Sequence, residues 1–210
     1  MNGSHAGNAA SAERIIALLA GRSGHFCMES GYHSERWFEL DRVLAQRERL
    51  RPFVSALSQR LAAHRVDAVC GPMTGGAELA QRIAAEIGAD YLFTERLAPP
   101  PSEATGLFPV RYTLPADQRE RGRGRRIAIV DDAISAGSAV RGTFTDLRAC
   151  GAQVVALGAL FVFGGAAARF AAEHGLALEE IAPMTFGIWK PAECPLCRAG
   201  VPVENVFDAP

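Results

Sequence analysis

The sequence predicts an α/β fold: one central parallel sheet flanked by helices, with a small hood built from the N- and C-terminal segments. Three observations carry this. Short, mostly apolar runs such as VDAVCGP at 66–72 and RIAIV at 126–130 read as strands buried on both faces. Each run is followed by a stretch whose apolar residues return at helical spacing. Repeated alternation of strand and helix requires crossover connections, and these place neighbouring strands in parallel.

The elements follow in order. Residues 11–20 read as a helix opened by Ser11, with Glu13 in its first turn and Gly21 as its stop. The stretch GHFCMESGYHSERWFELDRVL mixes aromatic and polar residues without a clear period and reads as short strands and a turn. From 46 to 64, Leu50, Phe53, Val54, Leu57 and Leu61 mark one face of a helix. The strand at 66–72 stops at Gly71-Pro72. The helix GGAELAQRIAAEIG presents Leu79, Ile83 and Ile87 on one face, and ADYLFTER is the next strand. Residues 97–125 break the rhythm, with Pro99, Pro100, Pro101 and Pro109 followed by RERGRGRR. A stretch of that length without periodicity is expected to be a functional loop, a mobile one over about 97–124. Beyond it lie the strand RIAIV, a helix at 138–151, the strand AQVVALGALFVFG, a helix AAARFAAEHG and a tail rich in proline and cysteine. The whole chain, 1–210, is expected to be a single domain, with hood segments at about 11–45 and 178–210.

Composition narrows the function. With 49% hydrophobic and 21% charged residues the chain can bury a sizeable core, and its net charge of -1 gives it no general attraction for nucleic acid or an anionic membrane. There is no apolar run of bilayer-spanning length and no leader-like start, so a cytoplasmic protein is expected. Of the 22 basic residues, Lys190 is the only lysine. Cys27, Cys70 and Cys150 read as reduced, buried thiols, and only Cys194 and Cys197 are spaced as a pair.

The chemistry is concentrated in VDDAISAGSAV at 130–140. In open parallel sheets ligands collect at the carboxyl ends of strands, and Asp131 and Asp132 lie at such an end. At the bend from strand to loop, both carboxylates can reach the hydroxyls of one sugar and the waters of its Mg²⁺. Ser135, Ala136, Gly137, Ser138 and Ala139 supply small residues, two hydroxyls and a helix start, as a phosphate requires. A sugar with a terminal phosphate would satisfy both parts together. Two acidic residues merely complementing a helix dipole would not account for a carboxylate pair set before a glycine turn.

VDDAISAGSAV after a hydrophobic strand resembles the PRPP-binding motif of the type I phosphoribosyltransferases. SGYHSERWFELDRV resembles the N-terminal substrate segment of the orotate phosphoribosyltransferases, GPMTGGAELAQRIA their pyrophosphate loop and helix, and LFTER the strand into their catalytic loop. CPLCRAGVPVE resembles the tail of some bacterial and archaeal members. The resemblance spans about residues 13–205.

The resemblance implies transfer of the phosphoribosyl group of PRPP to a nucleobase, orotate favoured, with Mg²⁺ as cofactor and pyrophosphate released. Asp131 and Asp132 would hold the ribose hydroxyls and, through them or water, the Mg²⁺. Ser135 to Ala139 would cradle the 5′-phosphate. Met73, Thr74, Gly75 and Gly76 would line the diphosphate, Arg96 would neutralise it, and Ser30, Gly31, Trp37, Phe38 and Phe163 would face the base. A homodimer is implied, since in the family the mobile loop reaches the neighbouring site. Three features depart from the pattern: Glu29 precedes Ser30-Gly31 where a lysine is common, the loop holds arginines (Arg111, Arg119, Arg121) in place of lysines, and Val162-Phe163 replaces the usual Asp-Arg. Two other readings stay open: a phosphoribosyltransferase for another base, and an inactive PRPP- or nucleotide-sensing relative.

The remaining signals read as structural. CPLC is either half a zinc site or a redox pair, but two further ligands are needed, and His174 and the scattered cysteines are the candidates in view. A tight turn is the favoured reading, and His25 and His33 are read as packed residues. The arginine run RERGRGRR reads as a solvated loop stem, since it lacks interleaved aromatics.

Overall fold

The computed structural model describes residues 11–97 and 106–206. Two sheets organise the chain. The larger has six strands in the order β5-β4-β3-β6-β7-β8, and the smaller has four in the order β10-β1-β2-β9. The strands of the larger sheet are β3 (Ala68–Pro72), β4 (Asp90–Leu97), β5 (Arg111–Thr113), β6 (Arg126–Ile134), β7 (Gln153–Phe163) and β8 (Ala177–Met184). All pair in parallel except β5, which runs antiparallel to β4.

The near-continuous apolar character of these strands follows from cover on both faces. Successive side chains point to opposite sides, so Val69, Ala128, Val130 and Leu160 meet Leu50, Leu57 and Leu61 of α3 (Arg47–Ala62) and Leu79 and Ile83 of α4 (Gly75–Ile87). Ala68, Cys70, Ile127, Ile129 and Leu157 meet Val140, Phe144 and Leu147 of α6 (Ser138–Ala149) and Phe170 of α7 (Ala166–His174) on the other face. The helical spacings seen in the sequence are these buried stripes. Residues 11–16 form a first helix, α1, and Leu40–Leu44 form α2.

The smaller sheet joins the two ends of the chain. Strand β1 (Gly21–Cys27) and β2 (His33–Phe38) form an antiparallel hairpin. Strand β9 (Ile188–Trp189) adds to β2, and β10 (Glu204–Asn205) runs parallel to β1. A hood was expected from about 11–45 and 178–210; β1, β2, β9 and β10 fall within those segments, whereas β8 does not join them. The LALEEIAPM stretch around β8 is the last strand of the main sheet, and the small sheet receives chain only from β9 onward. An edge strand half covered by helices lacks the apolar run that would announce it.

The 97–124 region also differs from an all-loop reading. Residues 98–105 lie outside the described part, but β5 and α5 (Ala116–Gly122) are regular. Polar contacts hold α5. The Gln118 side-chain oxygen accepts the Phe93 backbone N–H at 3.0 Å, and Arg119 donates to both Asp146 oxygens at 3.0 and 2.8 Å. A helix anchored by polar side chains shows no hydrophobic period, which is why DQRERG read as loop and the arginine run as its stem.

Candidate active site

Chain direction across the main sheet reverses between β3 and β6. From β3 the chain moves outward to β4, while from β6 it moves the other way to β7 and β8. The carboxyl ends of β3 and β6 therefore open a crevice at the switch point. Met73, Thr74, Gly75 and Gly76 leave β3 there, with a cis peptide between Met73 and Thr74, and Asp131 and Asp132 lie near the carboxyl end of β6 beside them.

The two loops are in close contact. A Cβ on Gly75 would lie 2.6 Å from Asp132 Oδ2, and one on Gly76 2.7 Å from Asp131 Oδ1 and 2.9 Å from the Val130 carbonyl. Only glycine lets the α4 start approach both carboxylates. The Asp132 backbone N–H donates to Asp131 Oδ1 at 3.0 Å, and the Ala133 N–H donates to Asp132 Oδ1 at 2.9 Å. Among the described residues neither carboxylate has a cationic partner. Burial, and for Asp131 also the charge of Asp132, raises both above the ordinary aspartate range. With Asp131 buried, Asp132 half-buried and neither met by a cation, the pair as carboxylates would suit a sugar diol together with a divalent cation.

The next segment turns from β6 into α6. Gly137 takes a left-handed conformation (φ 85°) as N-cap of α6, and Ser138 starts the helix. Ser135 and Ala136 open onto a cleft of about 570 Å³. Its other walls include Tyr32, Phe163 and Phe186 and the cations Arg141, Arg169 and Lys190.

Glu29 ties the rim together. It accepts from Arg96 Nε at 2.6 Å and from the Tyr112 hydroxyl at 2.6 Å, with Ser138 at 3.4 Å. Burial, reinforced by Glu29, raises the Tyr112 phenol well above its usual range. The Phe108 N–H donates to the Ser30 carbonyl at 2.9 Å, seating the end of the loop on the Ser30-Gly31 turn.

The crevice thus brings together Asp131, Asp132, Met73 to Gly76, Ser135 to Ala139, Arg96, Ser30 and Gly31. Phe163 borders the cleft and stacks on Phe38 (ring centres 5.1 Å apart), which lies behind it in the core. Trp37 packs on Phe26 in the small sheet, on the side of β2 opposite Phe38. The cations Arg141, Arg169 and Lys190 were not singled out for this cleft from the sequence, although a lone lysine in an arginine-rich chain was a signal.

No family model matches the chain. Curated relatives do. An orotate phosphoribosyltransferase of Caldanaerobacter subterraneus subsp. tengcongensis is 27% identical over 180 residues, covering 86% of each chain. One of Thermotoga maritima is 28% identical over 196 residues, covering 92% of this chain and 93% of that one. Among solved structures, Aeropyrum pernix orotate phosphoribosyltransferase superposes with a TM-score of 0.61 at 21% identity, over 82% of this chain and 93% of that one. Adenine phosphoribosyl transferase from Trypanosoma brucei, in complex with AMP, pyrophosphate and ribose-5-phosphate, gives 0.65 at 14%, over 82% and 79%. The fold is that of the type I phosphoribosyltransferases. The resemblance to orotate phosphoribosyltransferases agrees with these sequence relatives, which recurrently carry that name.

Proposed function

We propose that the protein transfers the 5-phosphoribosyl group from PRPP to a nucleobase, with orotate as the favoured acceptor, releasing pyrophosphate in pyrimidine nucleotide synthesis. The observation that carries this is the uncompensated Asp131-Asp132 pair pressed against Gly75-Gly76 and followed by the Ser135–Ala139 cradle. The aspartates accept from the ribose hydroxyls, and the backbone N–H groups at the start of α6 bind the 5′-phosphate. The Met73–Gly76 loop and Arg96 receive the diphosphate, Arg96 exchanging Glu29 for the ligand. Asp131 and Asp132 would hold Mg²⁺ through hydroxyls or water, and that ion supplies charge neutralisation on the departing diphosphate. The Ser30-Gly31 turn and the segment 97–124 exclude water while positive charge develops on the ribose.

Orotate carries a carboxylate, and Val162-Phe163 offers it no cation. Arg169 and Lys190 in the same cleft take that role, with Phe163 and Phe186 as apolar walls. The working form is a cytoplasmic homodimer, on the resemblance and on the lack of any helix long and apolar enough to cross a membrane among the described residues.

The test is pyrophosphate release from PRPP and Mg²⁺ with a panel of bases. Orotate should be consumed, and Asp131→Asn with Asp132→Asn should lower the rate by at least about a hundredfold, the scale expected when charge stabilisation is removed. Turnover of adenine but not orotate would overturn the acceptor. PRPP binding without pyrophosphate release from any base would favour the sensor reading, and activity retained in the double variant would place the site elsewhere.

A further inference from the structure

Behind the Ser30-Gly31 turn, four side chains from opposite ends of the chain converge. His25, His33, Cys194 and Cys197 have ligand atoms that all lie within 4.8 Å of one another. His25 Nε2 is 2.9 Å from His33 Nδ1, 3.4 Å from Cys194 Sγ and 3.7 Å from Cys197 Sγ, and Cys197 Sγ is 3.2 Å from His33 Nδ1. A tetrahedral zinc ion with Zn–S near 2.3 Å and Zn–N near 2.0–2.1 Å sets its ligand atoms about 3.3–3.8 Å apart. The four separations of 2.9–3.7 Å fit that spacing to within about half an ångström, and the widest spacing in the cluster, up to 4.8 Å, would close by about one. This corrects the sequence expectation, in which CPLC had only His174 and scattered cysteines to complete it. His174 packs against Phe144 and Phe170 instead.

The surroundings are those of a built site. His25 Nδ1 lies 2.8 Å from the Val201 carbonyl. A proton on Nδ1 donates there and leaves the Nε2 lone pair facing the thiols, the arrangement that orients ligating histidines. Cys194 is fully buried, and His25 and His33 are buried beside it. Pro195 opens the single turn α8 (Pro195–Arg198), which turns both thiols to one side, and Val201 follows in the same tail segment. The tail thus supplies two thiols and the outer carbonyl, and the β1–β2 hairpin supplies two imidazoles.

We propose that His25, His33, Cys194 and Cys197 form a structural zinc site that fastens the C-terminal tail to the β1–β2 hairpin. Two thiolates and two imidazoles in a closed tetrahedron favour zinc over harder cations and leave no position for substrate. The ion would clamp both ends of the 28–32 turn, since His25 and His33 flank it and Glu29, Ser30 and Gly31 lie between them. Its role is therefore to hold the rim of the crevice.

The test uses the full chain and reads metal, not turnover. Elemental analysis of reduced, zinc-loaded and desalted protein should find about one zinc per chain, the stoichiometry of a closed four-ligand site. Replacement by Co²⁺ should give the thiolate-to-cobalt charge-transfer band and the strong visible bands of a tetrahedral site. Cys197→Ser and His33→Ala should each weaken retention at least about tenfold, whereas His174→Ala should retain the ion. Since Cys197 is exposed, its variant is expected to fold, and the wild-type cobalt spectrum needs no variant at all. Substoichiometric zinc after loading, a cobalt spectrum without the thiolate band, or a Cys194–Cys197 disulfide in protein kept under reductant would overturn the proposal.

Discussion

Asp131 and Asp132 are held where the folded, ligand-free protein is least comfortable with charge. Burial raises both, and the neighbouring charge adds to the effect on Asp131. A raised carboxylate takes up its proton more readily in the folded than in the unfolded chain. Its contribution to stability is therefore present below the ordinary aspartate range near 4 and is lost as pH rises through the raised folded value. Asp131→Asn should raise the unfolding midpoint of the ligand-free protein at pH 8 by a few degrees, since about 1 kcal/mol moves the midpoint of a chain this size by roughly 2–4 °C. The advantage should vanish at pH 4. Thermal melts of both proteins across that window check it, and a wild type more stable than the variant at pH 8 would contradict the assignment. In the proposed function this cost is offset when cation and diol bind.

Lys190 gives a second prediction at this scale. It lines the cleft beside Phe163 with Arg169, the proposed acceptor site, and its ion pair with Glu193 is loose, at 3.9 Å and exposed. Lys190→Ala should raise the KM for orotate about tenfold, the low end of what a charged hydrogen bond contributes, and leave the KM for PRPP unchanged. Steady-state kinetics with each substrate varied in turn decides it.

At the scale of elements, the β3–α4 junction is the tightest part of the crevice. Gly76→Ala would drive a methyl group to 2.7 Å from Pro72 Cδ and 2.9 Å from the Val130 carbonyl, and backbone cannot swing aside as a side chain can. Overpacking of this kind costs about 1–3 kcal/mol. The variant should lose that much in urea unfolding and also lose affinity for PRPP, because the loop must move off the aspartates. The segment 106–122 shows the opposite case. Its order comes from Gln118 on the Phe93 N–H and Arg119 on Asp146, contacts that no local pattern announces.

For the whole molecule, the alternation of apolar runs with helical stripes predicted the parallel sheet because burial on both faces marks the central strands and the helices that cover them. The aspartate pair and its small-residue loop were likewise legible, since a strand end, two carboxylates and a glycine turn into a helix are consecutive in the chain. By itself the sequence determined the doubly covered sheet, the carboxylate pair set before a small-residue loop, and the resemblance to orotate phosphoribosyltransferases. Only the tertiary structure decided what depends on distant segments meeting. It placed β8 in the main sheet, folded α5 onto Asp146, set Arg169 and Lys190 beside Phe163, and closed His25 and His33 around a Cys-x-x-Cys turn about 170 residues away. The reason is physical. Periodicity records which face of an element is buried, but contacts between polar side chains from separate elements depend on where the fold brings those elements together.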